Sequence, residues 1–70
     1  MAKRTAIIPR AAVARILIKN GASRVGEDAI DAFREVLEDT AKDIAARSVQ
    51  VSKHAGRKTI HEEDIKLAVK

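Results

Sequence analysis

Apolar side chains recur every three or four residues along most of the chain, and no segment alternates strictly between apolar and polar positions. Because this spacing lines one face of a helix, the pattern predicts an all-α fold. Asn20-Gly21 and Gly56 interrupt the pattern and are typical of helix ends, since glycine readily takes the left-handed conformation found there. The chain is therefore predicted to form three helices joined by two loops, without an internal repeat.

The two outer helices are short. The first is predicted from about Pro9, whose fixed φ suits the first helical position, to about Asn20. Its inward face consists of Ala12, Val13, Ile16 and Leu17. The third is predicted to start at Thr59-Ile60-His61-Glu62, which has the spacing of a capping box between Thr59 and Glu62.

The central helix is long, because neither proline nor glycine occurs from Glu27 to Ala55. One face persists throughout and comprises Ala29, Phe33, Val36, Leu37, Thr40, Ile44, Ser48, Val51 and Ala55. At ~1.5 Å per residue such a helix is roughly 43 Å long, whereas a compact globule of this size is about 30 Å across. Two short helices of the same chain cannot cover that face from end to end, so we expect a second copy to cross it.

Composition supports a single domain that needs a partner. The 70 residues allow one domain, assigned to residues 9–70, and 13 of the 32 hydrophobic residues are alanines. Without cysteines, and with so thin a core, a monomer is expected to be marginal. The apolar runs are too short to span a membrane and no secretory signal is recognised, so we expect a cytoplasmic protein.

Charge is segregated along the sequence. Residues 1–26 carry six cations and no acid, residues 27–52 seven acids and three cations, and residues 53–70 five cations and three acids. Residues 1–8 are predicted to be a basic, flexible N-terminal segment with Lys3 and Arg4. Basic ends around an acidic middle favour a polyanionic partner, although a set of solvated surface charges is the simpler alternative.

Catalytic and metal-binding constellations are not recognised. The chain lacks the nucleophile, zinc-binding and phosphate-cradling motifs of common enzymes, so it is predicted not to be an enzyme. His54 and His61 fall on different elements without a third ligand at metal spacing. We expect no metal, cofactor or small-molecule substrate.

The two loops carry the candidate binding residues. Arg24 precedes the long helix, and Arg57, Lys58 and Thr59 follow it. If two long helices cross antiparallel, the first loop of one copy lies beside the second loop of the other, and these cations and hydroxyls form phosphate sites with Arg10 and Arg15 of the first helix between them. Aromatic residues for stacking on single strands are lacking apart from Phe33, and the acidic helices are poor major-groove readers, so sequence-independent binding of double-stranded DNA is favoured.

These features resemble the archaeal histones of the histone-fold family. The resemblance rests on the helix order, on Gly21-Ala22-Ser23-Arg24-Val25, and on the segment His54-Ala55-Gly56-Arg57-Lys58-Thr59-Ile60 followed by Glu63-Asp64-Ile65. It implies an intertwined handshake dimer that bends and wraps duplex DNA, stacks with further dimers through a four-helix bundle, and associates with the chromosome. Within the family pattern Arg15, Arg24, Lys58 and Thr59 match DNA contacts.

Other positions match protein contacts of that family. Arg57 and Asp64 match an ion pair that braces the second loop. Val51, His54 and Asp64 match the surface between stacked dimers, and Gly21 matches a small residue where adjacent turns of DNA-wrapped dimers approach. Gly26 departs from the family pattern, which often has a serine cap there.

Two functions remain open at this point. The first is compaction of DNA by histone dimers and their multimers, and the second is a histone-fold module that heterodimerises within a transcription-factor complex. Arg15, Arg24 and Lys58 occurring together favour the first. Homodimers and heterodimers are not distinguished.

Overall fold

The computed structural model describes residues 6–70, so most of the predicted N-terminal segment, including Lys3 and Arg4, lies outside the described residues. Three helices follow one another: α1 spans Arg10–Lys19, α2 spans Glu27–His54 and α3 spans Glu62–Ala68. No strand occurs within residues 6–70. The all-α fold and the short–long–short order of helices are thereby confirmed.

The chain divides into two compact units. The first unit is Met1–Glu38 and the second unit is Asp39–Lys70, so that α2 contributes its first twelve residues to one and the remainder to the other. The first unit contains α1 and loop 1, residues 20–26, and the second contains loop 2, residues 55–61, and α3. The prediction of one domain over residues 9–70 stays a prediction.

Helix α1 begins one residue later than predicted. Pro9 is the N-cap rather than the first helical residue, because its ψ of 143° is extended. Its carbonyl accepts the first helical hydrogen bond, from the Val13 N–H at 3.3 Å. Val13 is completely buried, whereas Ile16 on the same predicted face remains exposed.

The capping box predicted for α3 is wrong in register. The N-cap is His61, with extended φ and ψ of −110° and 170°, and the helix begins at Glu62. Asp64, not Glu62, reaches back, and its Oδ2 accepts the His61 N–H at 2.8 Å. Asp64 is drawn into this position because its other oxygen binds Arg57.

Much of the apolar surface is not covered within one chain. Among residues 6–70, the buried hydrophobic side chains are Val13 in the first unit and Ala68 in the second. On the predicted face of α2, Ser48 is buried and Phe33, Leu37, Ile44 and Val51 are half-buried, but Ala29, Thr40 and Val36 are exposed, Val36 at 60%. The single chain therefore leaves most of its large hydrophobic residues in contact with solvent.

Candidate nucleic-acid interface

Both loops begin with the same backbone motif. Gly21, with φ of 112°, and Gly56, with φ of 74°, each adopt the left-handed region after a helix end, which confirms the two predicted helix stops. In loop 1 the Ala22 N–H donates to the Leu17 carbonyl at 3.1 Å, and in loop 2 the Arg57 N–H donates to the Ser52 carbonyl at 3.0 Å. These six-to-one hydrogen bonds define Schellman motifs, which turn the chain sharply and present the following residues at the surface.

Loop 2 is held by a serine of α2. Ser52 is buried, and its Oγ lies 3.1 Å from both the Arg57 and the Thr59 carbonyl oxygens. A hydroxyl has one proton, so it donates to one carbonyl at a time and alternates between the two. This contact fixes the backbone on either side of Lys58.

The ion pair of loop 2 joins Arg57 to the start of α3. Arg57 Nη2 lies 2.7 Å from Asp64 Oδ1, and the Asp64 side chain is only 1% exposed. The His61 N–H, and after it the Arg57 guanidinium, stabilise the charged carboxylate and hold the pKa of Asp64 below its usual range. The structure thus brings together the two residues for which the family pattern implies a brace.

Three predicted DNA-contact cations are free. Arg15, Arg24 and Lys58 are exposed, and within residues 6–70 none of their side chains makes a hydrogen bond or ion pair. Thr59 is also exposed, with its carbonyl facing Ser52. Unpaired surface cations are available to phosphates without first breaking a contact within the protein.

Arg10 differs from these cations because it is already paired. Its Nη1 donates to Asp31 Oδ1, and Arg34 Nη2 lies 3.6 Å from the same oxygen. The pair joins the start of α1 to the first part of α2. A phosphate would have to compete with Asp31 for the Arg10 guanidinium.

The residues expected at surfaces between dimers differ in how exposed they are. His54 is exposed and Val51 half-buried, both in the last turn of α2 or next to it. Asp64 is buried, and both of its oxygens already accept hydrogen bonds within the second unit. Gly21 faces open space, since within residues 6–70 no atom beyond its own chain neighbours lies within 4 Å of where a β-carbon would stand.

Sequence reasoning missed two organising residues, Ser52 and Glu38. Neither residue is predicted from the sequence to hold the backbone of another segment. Both are buried and hydrogen-bonded to backbone groups of other segments. The signal that was available is a serine one helical turn before a Gly-containing helix end, a residue type that commonly bonds nearby backbone.

Neither a metal centre nor a membrane span is evident in the described residues. In the part of the chain that the structure describes, no three or more His, Asp and Glu side chains are grouped so that they could hold a metal ion. Among the helices of residues 6–70, none combines the length and apolarity that a membrane-spanning helix requires.

A short, a long and a short helix joined by two glycine-initiated loops, with free cations on both loops, define the histone-fold class of small helical protein. A family model described as histone-like transcription factor (CBF/NF-Y) and archaeal histone matches residues 6–69. The chain belongs to this family.

Two curated proteins show the same similarity. The chain is 45% identical over 63 residues to one of the subunits of archaeal histone HAN1 from Thermococcus zilligii, an alignment that covers 90% of this chain and 94% of that protein. It is 49% identical over 63 residues, with the same coverage, to probable archaeal histone 3 of Methanocaldococcus jannaschii. These names favour a histone-like chromatin protein over a component of a transcription-factor complex.

Proposed function

We propose that this protein binds, bends, wraps and compacts double-stranded DNA, largely independently of sequence, as a dimer that stacks into larger assemblies. The observation that carries the proposal is the set of exposed, unpaired cations on α1 and both loops of a histone-family chain, namely Arg15, Arg24 and Lys58. Phosphate contacts of this kind give affinity without reading base sequence. The proposed role is accordingly that of a chromosome-associated, non-enzymatic DNA-binding protein.

Exposed apolar side chains support the dimer. Besides Val36, the exposed large hydrophobic residues include Ile16, Val49, Ile60, Ile65, Leu67 and Val69. Exposed large hydrophobic side chains in both units are typical of surfaces that another chain covers, and burial contributes roughly 25 cal/mol per Å². We infer that a second histone-fold chain covers these faces and that its antiparallel crossing places loop 1 of one copy beside loop 2 of the other.

The contacts between dimers rest on a reduced set of residues. His54 is accessible and Val51 partly so, and both remain candidates for the surface on which dimers stack. Asp64 is committed to Arg57 and His61 inside its own unit, so its part is to shape loop 2. Gly21 is proposed, as the family pattern implies, to lie where a neighbouring dimer approaches, and the open space around it leaves room for such an approach.

Salt dependence tests the DNA contacts. Each phosphate neutralised contributes about −0.9 to the slope of log affinity against log salt on duplex DNA. Arg24→Ala with Lys58→Ala is expected to weaken binding to all duplexes alike and to reduce the slope by about 1.8 per chain, from two lost contacts. Fluorescence anisotropy on two unrelated duplexes at several salt concentrations measures both quantities.

The control for this test is Lys66→Ala, which also removes a cation. Lys66 Nζ lies 2.7 Å from Glu62 Oε2, so its charge is already paired and its loss should leave the slope nearly unchanged. A nearly flat salt dependence of the wild-type protein would reject phosphate binding. A stable dimer or heterodimer with no measurable DNA affinity at low salt would instead favour the transcription-factor module.

A further inference from the structure

The outer face of α1 carries an exposed apolar side chain next to two cations. This face consists of Arg15, Ile18 and Lys19, and residues three or four positions apart are neighbours on a helix surface. Ile18 is 54% exposed, and Arg15 and Lys19 are exposed as well. Within residues 6–70 neither cation makes a hydrogen bond or ion pair. All three side chains are therefore available to a partner.

Ile18 points away from the apolar side of its own helix. Val13, the buried residue of α1, lies five positions before it, which at 3.6 residues per turn places the two side chains about 140° apart. Ile16 lies two positions before it and so on nearly the opposite side, which means that a second chain covering Ile16 does not also cover Ile18. The nearest residues toward the start of the helix on this side, Ala11 and Ala14, are small and leave room for a partner to approach.

The arrangement fits the backbone of duplex DNA. Arg15 and Lys19 lie about one turn apart, so their β-carbons are about 5–6 Å apart and their long side chains can reach two successive phosphates of one strand. Between two successive phosphates lies a deoxyribose, whose C–H groups are the apolar part of the backbone. A purely ionic partner would leave Ile18 in water, whereas a deoxyribose covers it.

We propose that Lys19 is a further phosphate contact and that Ile18 packs against the deoxyribose between the phosphates held by Arg15 and Lys19. The inference rests on the proposed DNA-binding function and deepens it, because it gives a role to two residues of α1 that this function does not yet use. The sugar is the same in every nucleotide of DNA, so the contact adds affinity without selecting a base sequence.

Two substitutions separate the ionic contact from the apolar one. Lys19→Ala removes one phosphate contact, so it is expected to reduce the slope of log affinity against log salt by about 0.9 per chain. Ile18→Ala removes no charge, so it is expected to leave the slope unchanged and to weaken binding about fourfold per chain at every salt concentration, the effect of one buried CH₂ group. Fluorescence anisotropy on two unrelated duplexes measures affinity and slope.

Each substitution has a matched control. Lys66→Ala also removes an exposed lysine, but Lys66 is paired with Glu62, so the slope should stay as in the wild type. Ile18→Leu keeps the volume and the apolar character of the side chain, so its affinity should remain close to that of the wild type. Alanine is a better helix former than isoleucine, so a loss of affinity in Ile18→Ala does not come from a weaker α1.

A second copy of the chain is the competing occupant of the surface around Ile18. Self-association without DNA, measured by analytical ultracentrifugation, is expected to be the same for Ile18→Ala and wild type. Weaker self-association of Ile18→Ala would place this side chain between copies and overturn the sugar contact. If Lys19 only complements the negative end of the α1 dipole, Lys19→Ala lowers stability in urea but leaves the salt slope unchanged, and the phosphate contact is refuted.

Failure of this inference is distinguishable from failure of the proposed function. A wild-type protein that does not bind duplex DNA refutes the proposed function itself. If the wild type binds with a slope that Arg24→Ala and Lys58→Ala reduce, but Lys19→Ala and Ile18→Ala bind as the wild type does, this inference alone is refuted. Circular dichroism establishes that each variant is folded. If Ile18→Ala fails to fold, Ile18→Gln replaces it, and a folded Ile18→Gln protein with undiminished affinity would overturn the apolar contact.

Discussion

The side-chain contacts within the two compact units differ in how far apart their partners lie in the sequence. In the first unit, polar side chains join distant parts of the sequence, with Arg10 bound to Asp31 and Glu38 bound to the Ile7 and Ile8 amides, at separations of 21 to 31 residues. In the second unit, the contacts made by Ser52 and Asp64 span three to seven residues. Loop 2 is thus organised by its own neighbourhood, while the first unit depends on segments that meet only after the chain has folded.

This difference bears on how each loop presents its cation. Lys58 lies between two carbonyls that Ser52 contacts and beside the buried pair of Arg57 and Asp64, so loop 2 is preorganised. Arg24 follows a Schellman motif, but within residues 6–70 no side chain is hydrogen-bonded to the backbone of residues 22–26. The Arg24 and Lys58 side chains are both free, so the two loops differ in their backbones, and ordering the loop on binding costs more in loop 1.

The largest effect is expected from Ser52→Ala, which removes the local brace of loop 2. The Arg57 and Thr59 carbonyls lose their shared donor, at a cost of about 1–2 kcal/mol, partly offset by the higher helix propensity of alanine. Urea unfolding at a fixed protein concentration measures the change, because the stability of a dimer depends on concentration.

Ser48→Ala is the matched control, since both serines are buried and lie four residues apart on α2. The Ser48 hydroxyl donates to the Ile44 carbonyl at 2.8 Å, which also accepts the N–H of the helix itself, so its removal should change stability by less than about 0.5 kcal/mol. Equal losses in the two variants would show that Ser52 acts by packing and not by bracing loop 2.

The sequence predicts those parts of the molecule that local signals determine. Helix α2 begins at the predicted residue and ends within one residue of the predicted end, because Gly26 and Gly56 bound an uninterrupted helical pattern. Gly21 and Gly56 stop their helices as expected, since few other residues adopt positive φ. The charge segregation that indicated a polyanionic partner is equally visible without a structure.

Tertiary contacts decide what the sequence left open. The pairs Thr59–Glu62 and His61–Asp64 both have the spacing of a capping box, and N-cap propensity favours the threonine. The register is set by Arg57, which binds Asp64 and so places that carboxylate over the His61 amide. Glu38 shows the same limit, because an acid in an acidic helix has the same sequence pattern whether it meets solvent or an amide 30 residues away.

The Arg57–Asp64 ion pair of the second unit should make the stability of the protein depend on pH. Because its folded-state pKa is depressed, Asp64 contributes stability that is present above the unfolded-state value near 3.8 and is lost as pH falls through the folded-state value. The Asp64→Asn protein is expected to be less stable than wild type at neutral pH, and the gap should shrink as pH drops below about 4. Thermal unfolding of both proteins between neutral and acidic pH measures this difference in stability. A difference that stays constant with pH would show that the carboxylate charge is not what stabilises loop 2.

The smallest effect is expected at the start of α2, in the first unit. The Gly26 carbonyl accepts a hydrogen bond from the Ile30 N–H at 3.1 Å, which makes Gly26 the N-cap. Glycine has no side chain that could accept a hydrogen bond from the free N–H groups of the first turn. Gly26→Ser should stabilise the protein by only a few tenths of a kcal/mol, because a β-carbon there lies 2.9 Å from Asp28 Oδ1 and this exposed side chain must turn aside. Gly26→Ala meets the same oxygen without gaining an acceptor, so it should destabilise the protein by about 0.5 kcal/mol. Urea unfolding of both variants measures these changes. Equal shifts for serine and alanine would show that crowding at Asp28, and not capping, limits this end of the helix.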